Sequence, residues 1–506
     1  MVAASETTST QRNIPAYPDL LTNLIGGKSS IGRGQRLPIF DPSTGEQIAE
    51  LAEADESTVS AAVHNARATF DSGVWSKAPV AERQAVLYRC AAIIRDHLEE
   101  LAQLETLCVG IPIETSSRRH VAFGAAWLQY FGERIGSWSG SAHRQTPGAT
   151  TLVIYEPRGV AAQFSPWNVP VGIALLKVAA AISVGNSVVL KPSEQAPIAV
   201  WRAIQLLLEA GLPPGVVNLV NGRGHVTGAA LASSDGIDCV SFTGGGLAGR
   251  AVAQAAAARF LPCVLELGGK SAFVVFEDAD LDAALEAALV SIYGNNGQAC
   301  LAGSRILVQA SVADDFMERF LARVKQMRVG DPFDPSMDMG PMASEKHMAH
   351  VLGFVERAAA DGDAVLHGGG RREDLGAGFF VDPIVASCAD MGHTIAQEEV
   401  FGPFATFMRF DSEEDAFQMA NATRYGLVAY FWSRDHQRVL RGYQALRAGT
   451  VLVNSSMCRE MNAPFGGVGE SGVGSEGGDF SLRFYCQEKT VVMAQDWKPG
   501  RPMAGG

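Results

Sequence analysis

The 506-residue sequence holds no CxxC pair, no tight cysteine cluster and no apolar run near the ~18–20 residues that span a bilayer. Its eight cysteines are scattered at positions 90, 108, 239, 263, 300, 388, 458 and 486. Disulfide scaffolds are short and cysteine-dense, and zinc sites need local pairs, so neither is indicated and no metal site is expected. Reduced thiols and a cytoplasmic location are the simplest expectation. Basic residues are in deficit, 41 Lys and Arg against 54 Asp and Glu for a net charge of −13. That balance argues against nucleic acid or an anionic membrane surface as the main partner. The opening MVAASETTSTQRNIPAYP has no apolar h-region, so no secretory signal is expected, and residues 1–20 read as a disordered tail.

What is present is ordinary soluble globular composition, 47% hydrophobic and 19% charged, in a chain too long for one core. Val59, Val63, Ala66 and Phe70 fall on one helical face, as do Leu87, Ala91, Ile94, Leu98 and Leu101. From residue 159 short apolar runs alternate with helical stretches: Gly159–Phe164, Ser187–Leu190, Val216–Val220, Cys239–Phe242 and Cys263–Leu267. Strands alternating with helices imply a parallel, doubly wound α/β sheet. Polar and glycine-rich residues follow each strand, at the edge where such sheets bind ligands. A second alternation runs through Ala272–Phe276, Arg305–Val308, Phe379–Val385, Phe404–Phe410, Val428–Trp432 and Thr450–Asn454, with helices such as Val312–Met327 and Glu413–Ala422. The glycine-dense Pro464–Gly478 reads as a loop lining or closing something.

Gly244, Gly245, Gly246 and Gly249 sit between a strand and a helix, where backbone N–H groups can meet a phosphate. Taken alone, a tight turn explains them as well. Lys191 and Glu194, ending another strand on the same edge, fit the two hydroxyls of an adenosine ribose, or a solvated start of a helix. A carboxylate there repels a 2′-phosphate, which favours NAD over NADP. Cys300 stands in the polar turn Asn295-Asn296-Gly297-Gln298-Ala299-Cys300, where a thiol can meet substrate but needs a base. Cys239, Cys263 and Cys388 lie in apolar runs and read as core filler. Glu266 interrupts an apolar strand, and partial burial would raise its pKa and suit it to proton transfer. Asn168 is a candidate oxyanion donor, though by itself it is more simply a turn residue.

Together these motifs resemble the aldehyde dehydrogenase superfamily. The chain carries Ser165-Pro166-Trp167-Asn168-Val169-Pro170, Lys191-Pro192-Ser193-Glu194, Phe242-Thr243-Gly244, Leu265-Glu266-Leu267-Gly268-Gly269-Lys270, Gly297-Gln298-Ala299-Cys300, Glu398-Glu399-Val400-Phe401-Gly402-Pro403 and Pro464-Phe465-Gly466-Gly467 in the family's order. The resemblance implies a hydrolytic enzyme in which Cys300 adds to the aldehyde, Asn168 and the Cys300 N–H hold the oxyanion, and Glu266 activates water. Lys177 and Glu476 match a supporting pair behind that base. Ser165, Trp167, Lys191, Glu194, Gly224, Gly244, Gly245, Gly249, Leu267, Glu399 and Phe401 match the NAD cleft. It also implies an aldehyde dehydrogenase-like fold. Residues 21–130 and 156–265 form a Rossmann-type NAD-binding domain, 266–465 an α/β catalytic domain, and 131–155 with 484–496 a β-ribbon arm giving a homodimer or homotetramer. Gly245 replaces a frequent serine, Gly469 a frequent lysine and Ser475 a frequent arginine.

The resemblance places the substrate tunnel at Val169, Ile173, Leu176, Leu301 and Phe465, with the Ser455–Ala463 loop beside it. No aromatic follows Asn168 where members acting on small aldehydes carry one, so a bulky apolar aldehyde is expected: aromatic, long-chain or terpenoid. Three rivals remain: a CoA-acylating relative, against which Glu266 counts; a non-catalytic NAD-binding homologue; and a cofactor-free cysteine hydrolase.

Overall fold

The computed structural model describes residue 12 and residues 14–145 and 148–494. Five parallel strands, Val160–Ser165, Ser187–Pro192, Val217–Leu219, Cys239–Thr243 and Cys263–Glu266, form the middle of an eight-stranded sheet. Val160–Ser165 pairs with Ser187–Pro192 on one side and Cys239–Thr243 on the other. The chain thus winds outward first through Val217–Leu219 and then, in the opposite direction, through Cys263–Glu266. That reversal opens a crevice at the carboxyl ends of the central strands. Antiparallel edges close the sheet: Asn23–Ile25 with Lys28–Ser30 at one side, Gly472–Val473 beside Cys263–Glu266 at the other.

Ser187–Pro192 is buried throughout, as its unbroken apolar run requires when helices cover both faces. The helix Pro170–Ser183 is buried over nearly its whole length and starts on proline, whose missing N–H costs nothing at that position. Glu56–Ser72 buries Val59, Val63 and Ala66 of its expected face, with Phe70 half-buried. Val80–Asp96 buries Leu87, Ala91 and Ile94, but the helix breaks at His97 and leaves Leu98 and Leu101 on the next one, Leu98–Val109. Asp55 caps the first of these helices by accepting from the Thr58 N–H at 2.9 Å, and Gly73 ends it at φ +80°.

The second sheet has seven strands in the order Ala364–His367, Ile384–Ser387, Phe404–Phe410, Arg305–Gln309, Ala272–Val275, Val428–Trp432 and Thr450–Val453, all parallel except the first pair. The strand expected over Phe379–Val385 begins only at Ile384. Pro383 has no N–H for the ladder, and Val381 makes an isolated bridge to Arg371 instead.

Cys486–Ala494 pairs antiparallel with Ala149–Pro157 along nine residues, and Ser141–His143 adds a third strand. This ribbon starts later than residue 131. Phe131–Arg134 completes the helix Ala122–Arg134, and buried Phe131 stacks on Trp127 at 5.3 Å, so packing overrides the expected boundary. Phe484 and Tyr485 likewise end the helix Gly478–Tyr485; residues 495 and 496 lie outside the described residues. The tail expectation needs a similar correction. Residues 1–11 and 13 lie outside the described residues, but Arg12 donates to Asp41 at 2.7 Å and Asp331 at 2.9 Å, and Tyr17 packs on the first sheet's core. Charge pairing and an aromatic anchor hold this segment. Among the described residues no helix is long and apolar enough to cross a membrane.

Buried Arg305 ties the loop after Glu266 to the second sheet, donating to Lys270 O at 2.9 Å and to Met419 O and Ala420 O at 2.7 Å. Arg305→Met would orphan the Lys270 and Ala420 carbonyls, Met419 O keeping the Ala422 N–H at 3.3 Å. Each buried orphan costs about 1–3 kcal/mol, so a loss of roughly 3–5 kcal/mol is expected. Thermal unfolding checks this as a lowered midpoint.

Candidate active site

A cavity of about 890 Å³ opens at the carboxyl ends of the first sheet's strands and reaches the second sheet. Each strand delivers its punctuation there: Ser165, Trp167 and Asn168, then Lys191 and Glu194, Gly224, Gly244 and Gly245, and Glu266 with Leu267. The second sheet's side contributes Cys300, Glu399, Phe401, His347 and His350. Of the residues that the sequence points to for a cofactor, Gly246 is not on the wall, and neither is Gly249. A Cβ there would lie 2.5 Å from Leu267 Cδ2, so its glycine permits close helix packing.

The wall has two chemically distinct ends. At one, Lys191 Nζ donates to Glu194 Oε2 at 2.9 Å. Burial would raise the Glu194 carboxyl, but Lys191 and the backbone N–H groups of Glu194 and Gly224 outweigh it and hold it below the ordinary range. Next to it, a Cβ on Gly224, Gly245 or Gly246 would meet nothing within 4 Å. The helix Gly246–Ala257 begins here with no side-chain cap, leaving its first N–H groups open to the cavity. Hydroxyl-binding groups beside a bare helix N-terminus fit an extended ligand with a ribose and phosphates. At the other end, Glu399 accepts from the Gly269 N–H at 3.0 Å. Burial pushes its carboxyl up to about 7. A Cβ on Gly268 would lie 1.8 Å from Glu399 Oε2, so any larger residue there would displace the Glu399 carboxylate. Phe401 holds a left-handed φ of +55°, unusual outside glycine, with its carbonyl bonded by His347 Nε2 at 2.8 Å. Trp167, Phe401 and His347 meet edge to face at 5.2–6.0 Å.

Cys300 follows a turn that only its sequence makes cheap. Asn295, Asn296 and Gly297 have φ of +58°, +56° and +71° in succession. Asparagine tolerates this region, and its amide can fasten the turn. Asn295 Nδ2 donates to Asn168 O and Gln298 O, both at 3.0 Å. Asn296 donates to Gly110 O and Pro341 O at 2.9 Å and accepts from the Gly340 N–H at 3.0 Å. Asn168 Nδ2 donates to Gln298 O at 2.8 Å, which uses one amide hydrogen and leaves the other for a ligand. Burial, with the Glu399 and Glu266 carboxyls nearby, pushes the Cys300 thiol up to about 12.

Glu266 is 5% exposed, and among the described residues neither carboxyl oxygen has a hydrogen-bond partner. Burial, and then repulsion from Glu476, raises it well above the usual carboxylate range. Behind it, Lys177 Nζ bonds Glu476 Oε1 at 2.6 Å and Ser241 Oγ at 2.8 Å. Lys177 and Glu476 are off the cavity wall, with Glu266 between them and the cavity. The loop Pro464–Gly478 carries Glu476 in: Phe465 and Glu476 exchange backbone hydrogen bonds at 2.7 Å, and Gly472 pairs with Glu266.

A second cavity of about 280 Å³ begins at Leu301, the neighbour of Cys300, and is lined by Tyr430, Met457, Arg459 and Phe465 among others. The five tunnel expectations thus divide. Ile173 faces the large cavity, and Leu301 and Phe465 the second, while Val169 is half-buried on neither wall. Leu176 is 1% exposed within the first sheet's core, because the buried helix turns it away from both spaces. His347, His350 and Arg459 were not singled out by the sequence. The histidines' spacing of three on the helix Glu345–Ala360 was the one available signal; Arg459, in a loop, had none.

Residues 30–491 match the model of the aldehyde dehydrogenase family. The chain is 40% identical over 485 residues to aldehyde dehydrogenase family 2 member B4, mitochondrial, from Arabidopsis thaliana, covering 95% of this chain and 88% of that one. It is 38% identical over 484 residues to the mitochondrial benzaldehyde dehydrogenase of Antirrhinum majus, covering 94% and 89%. The crystal structure of betaine aldehyde dehydrogenase from Staphylococcus aureus in complex with NAD+ superposes with a TM-score of 0.92 at 34% identity, covering 95% of each chain.

With the thiol at about 12, the thiolate fraction of Cys300 should climb about tenfold per pH unit below that value. Iodoacetamide labelling of the Cys300 peptide in the free protein, followed by mass spectrometry, is therefore expected to be slow at neutral pH. It should still be accelerating at the highest pH at which the fold survives. A plateau near neutrality would contradict the assignment.

Proposed function

The chain belongs to the aldehyde dehydrogenase family, and from that premise we propose that Cys300, Asn168 and Glu266 carry an aldehyde to its carboxylic acid through a thioester. The protein is an oxidoreductase acting on the aldehyde group with NAD as acceptor. The observation that carries the site assignment is the meeting on one cavity wall of a thiol, an amide with a spare N–H and a buried, unbonded carboxyl.

The wall fits NAD. Lys191 and Glu194 suit the adenosine ribose, the open N–H groups after Gly245 the pyrophosphate, and Glu399 the second ribose, with Phe401 and Trp167 beside it. A Glu194 held ionised opposes a 2′-phosphate, which favours NAD over NADP. NAD, when bound, supplies the hydride acceptor. The chain's own part begins with the Cys300 proton, which Glu266 is suited to receive because its lifted pKa narrows the gap to the thiol. Cys300 Sγ then bonds the aldehyde carbon, and the carbonyl oxygen becomes an alkoxide held by the Asn168 Nδ2–H. A donor of this kind contributes about 3–4 kcal/mol at the transition state. Loss of hydride from that carbon leaves a thioester on Cys300. Water adds to the thioester carbonyl as its proton passes to Glu266, and the C–S bond breaks to release acid and thiolate. The Lys177–Glu476 pair sits where it can draw each proton away from Glu266, the one from Cys300 before water adds and the one from water afterwards. A carboxyl on the wall beside Cys300 favours water over CoA as the acyl acceptor.

We also propose a substrate with a bulky body. The second cavity behind Leu301 supports it, as does the relative named for benzaldehyde. The relative named for betaine aldehyde points to a compact cation instead, which leaves the cavity as the deciding observation. The ribbon exposes Ile154, Val492 and Met493, apolar edges that suit pairing with another copy as a homodimer or homotetramer. Eight unpaired cysteines suit a reducing compartment such as the cytosol, although the Arabidopsis and Antirrhinum relatives are named as mitochondrial.

NADH formation at 340 nm with a panel of aldehydes tests both levels. Cys300→Ala is expected to abolish turnover, and aromatic or long-chain aldehydes to exceed acetaldehyde in kcat/KM. Turnover that survives the substitution would refute the mechanism. A preference for acetaldehyde would refute the bulky substrate.

A further inference from the structure

We propose that Arg459 is an anion subsite, so that the aldehydes oxidised best carry a carboxylate at the end remote from the aldehyde, on a flat aromatic or unsaturated body. The inference rests on the reading of Cys300 as the nucleophile and narrows its substrate class.

Arg459 Nε and Nη2 are shut off from solvent and have no hydrogen-bond partner among the described residues. Its guanidinium carbon stands over three rings, 4.2 Å from the centroid of Phe465, 5.4 Å from Trp127 and 5.6 Å from Phe123. Aromatic faces attract the cation but offer no acceptor for its N–H donors. A buried donor left unbonded is costly, and a buried charge without a counter-ion more so.

Among the described residues no neighbouring acid bonds the guanidinium directly. Glu476 is engaged by Lys177 at 2.6 Å and by Ser241 at 3.0 Å. Glu266 is raised by burial and by Glu476, while Lys177 and Arg459 draw it down, and it makes no hydrogen bond to the guanidinium. Glu460, the next residue along, is exposed to solvent. Among the described residues the guanidinium therefore feels the Glu476 and Glu266 carboxyls only through space, and no acid bonds its Nε or Nη2.

Its position says what would. Arg459 lines the second cavity together with Leu301 and Phe465, so an anion bonded to it belongs to a molecule whose other end can reach Cys300. A planar guanidinium with paired donors matches a carboxylate bidentately, and burial strengthens such a bond. The rings that hold the guanidinium would also stack on a flat body.

The test compares kcat/KM for 4-formylbenzoate against benzaldehyde, and for succinic semialdehyde against butanal, in wild type, Arg459→Met and Arg459→Lys. The wild type is expected to favour the carboxylate in at least one pair by about tenfold or more, the scale of one charge-assisted bidentate contact, mainly through KM. Arg459→Met should erase that ratio and Arg459→Lys restore part of it. Calorimetric binding of terephthalate to Cys300→Ala, with and without Arg459→Met, reads the subsite without catalysis. Arg459-dependent binding with no turnover of any aldehyde would leave the subsite standing and overturn the assigned function. Turnover that depends on Cys300 but gains nothing from a carboxylate, with no terephthalate binding, would overturn the subsite alone. An equal loss for both members of each pair in Arg459→Met would also overturn it, since the guanidinium would then serve only the charges on Cys300 and Glu266.

Discussion

Three consecutive left-handed residues, Asn295 to Gly297, hold the structure's two halves in one working register. Their side-chain amides and backbone reach Asn168 beyond the first sheet, Gly110 at the end of a helix, and Gly340 and Pro341 on the way to the second sheet. At Gly297 an added Cβ would fall 2.2 Å from the Gly402 carbonyl carbon, so the turn is wedged against the segment that carries Glu399 and Phe401. Cys300 is delivered to the seam by this knot. Relaxing the knot would move the thiol relative to both the amide of Asn168 and the carboxyl of Glu266, which belong to other strands.

Around that seam the molecule tolerates arrangements that stability alone would remove. Glu266 has two unbonded buried oxygens, Lys270 a buried ammonium without a partner, and Arg459 two unbonded nitrogens. Burial pulls Lys270 down to about 7 and pushes Glu399 up to about 7, so two opposite groups on neighbouring loops sit near their titration points. Perturbed groups gathered on one cavity wall, here Glu266, Cys300 and Glu399, are the electrostatic mark of a reactive site. The Lys177–Glu476 pair differs: each charge has a close partner, and its effect is to bias Glu266 from behind.

The architecture was legible because parallel strands buried on both faces leave long apolar runs, and their loops leave glycine and polar residues at the functional edge. Cys300 stood out from the core cysteines by its polar turn, and Glu266 by interrupting an apolar strand. Boundaries decided by packing were less legible. The start of the ribbon depends on Phe131 finding Trp127, and the start of one strand on the missing N–H of Pro383. Residues 12 and 17 looked like tail because a pattern read along the chain cannot see Asp331, more than three hundred positions away. Leu176 was misplaced for a related reason: on a helix buried nearly all round, residue type does not say which side faces a cavity. Arg459 was invisible, since a single loop arginine acquires meaning only when its rings and its missing partner are seen together.

The central claim is that an acyl group passes through Cys300 and leaves by water that Glu266 activates. The most direct measurement is the intact mass of Glu266→Gln, quenched after mixing with aldehyde in the presence or absence of NAD. The account predicts an acyl adduct on the Cys300 peptide that accumulates toward one per chain only when NAD is present, because the thioester forms but hydrolyses slowly. No adduct despite steady release of acid, or an adduct on any other residue, would contradict it.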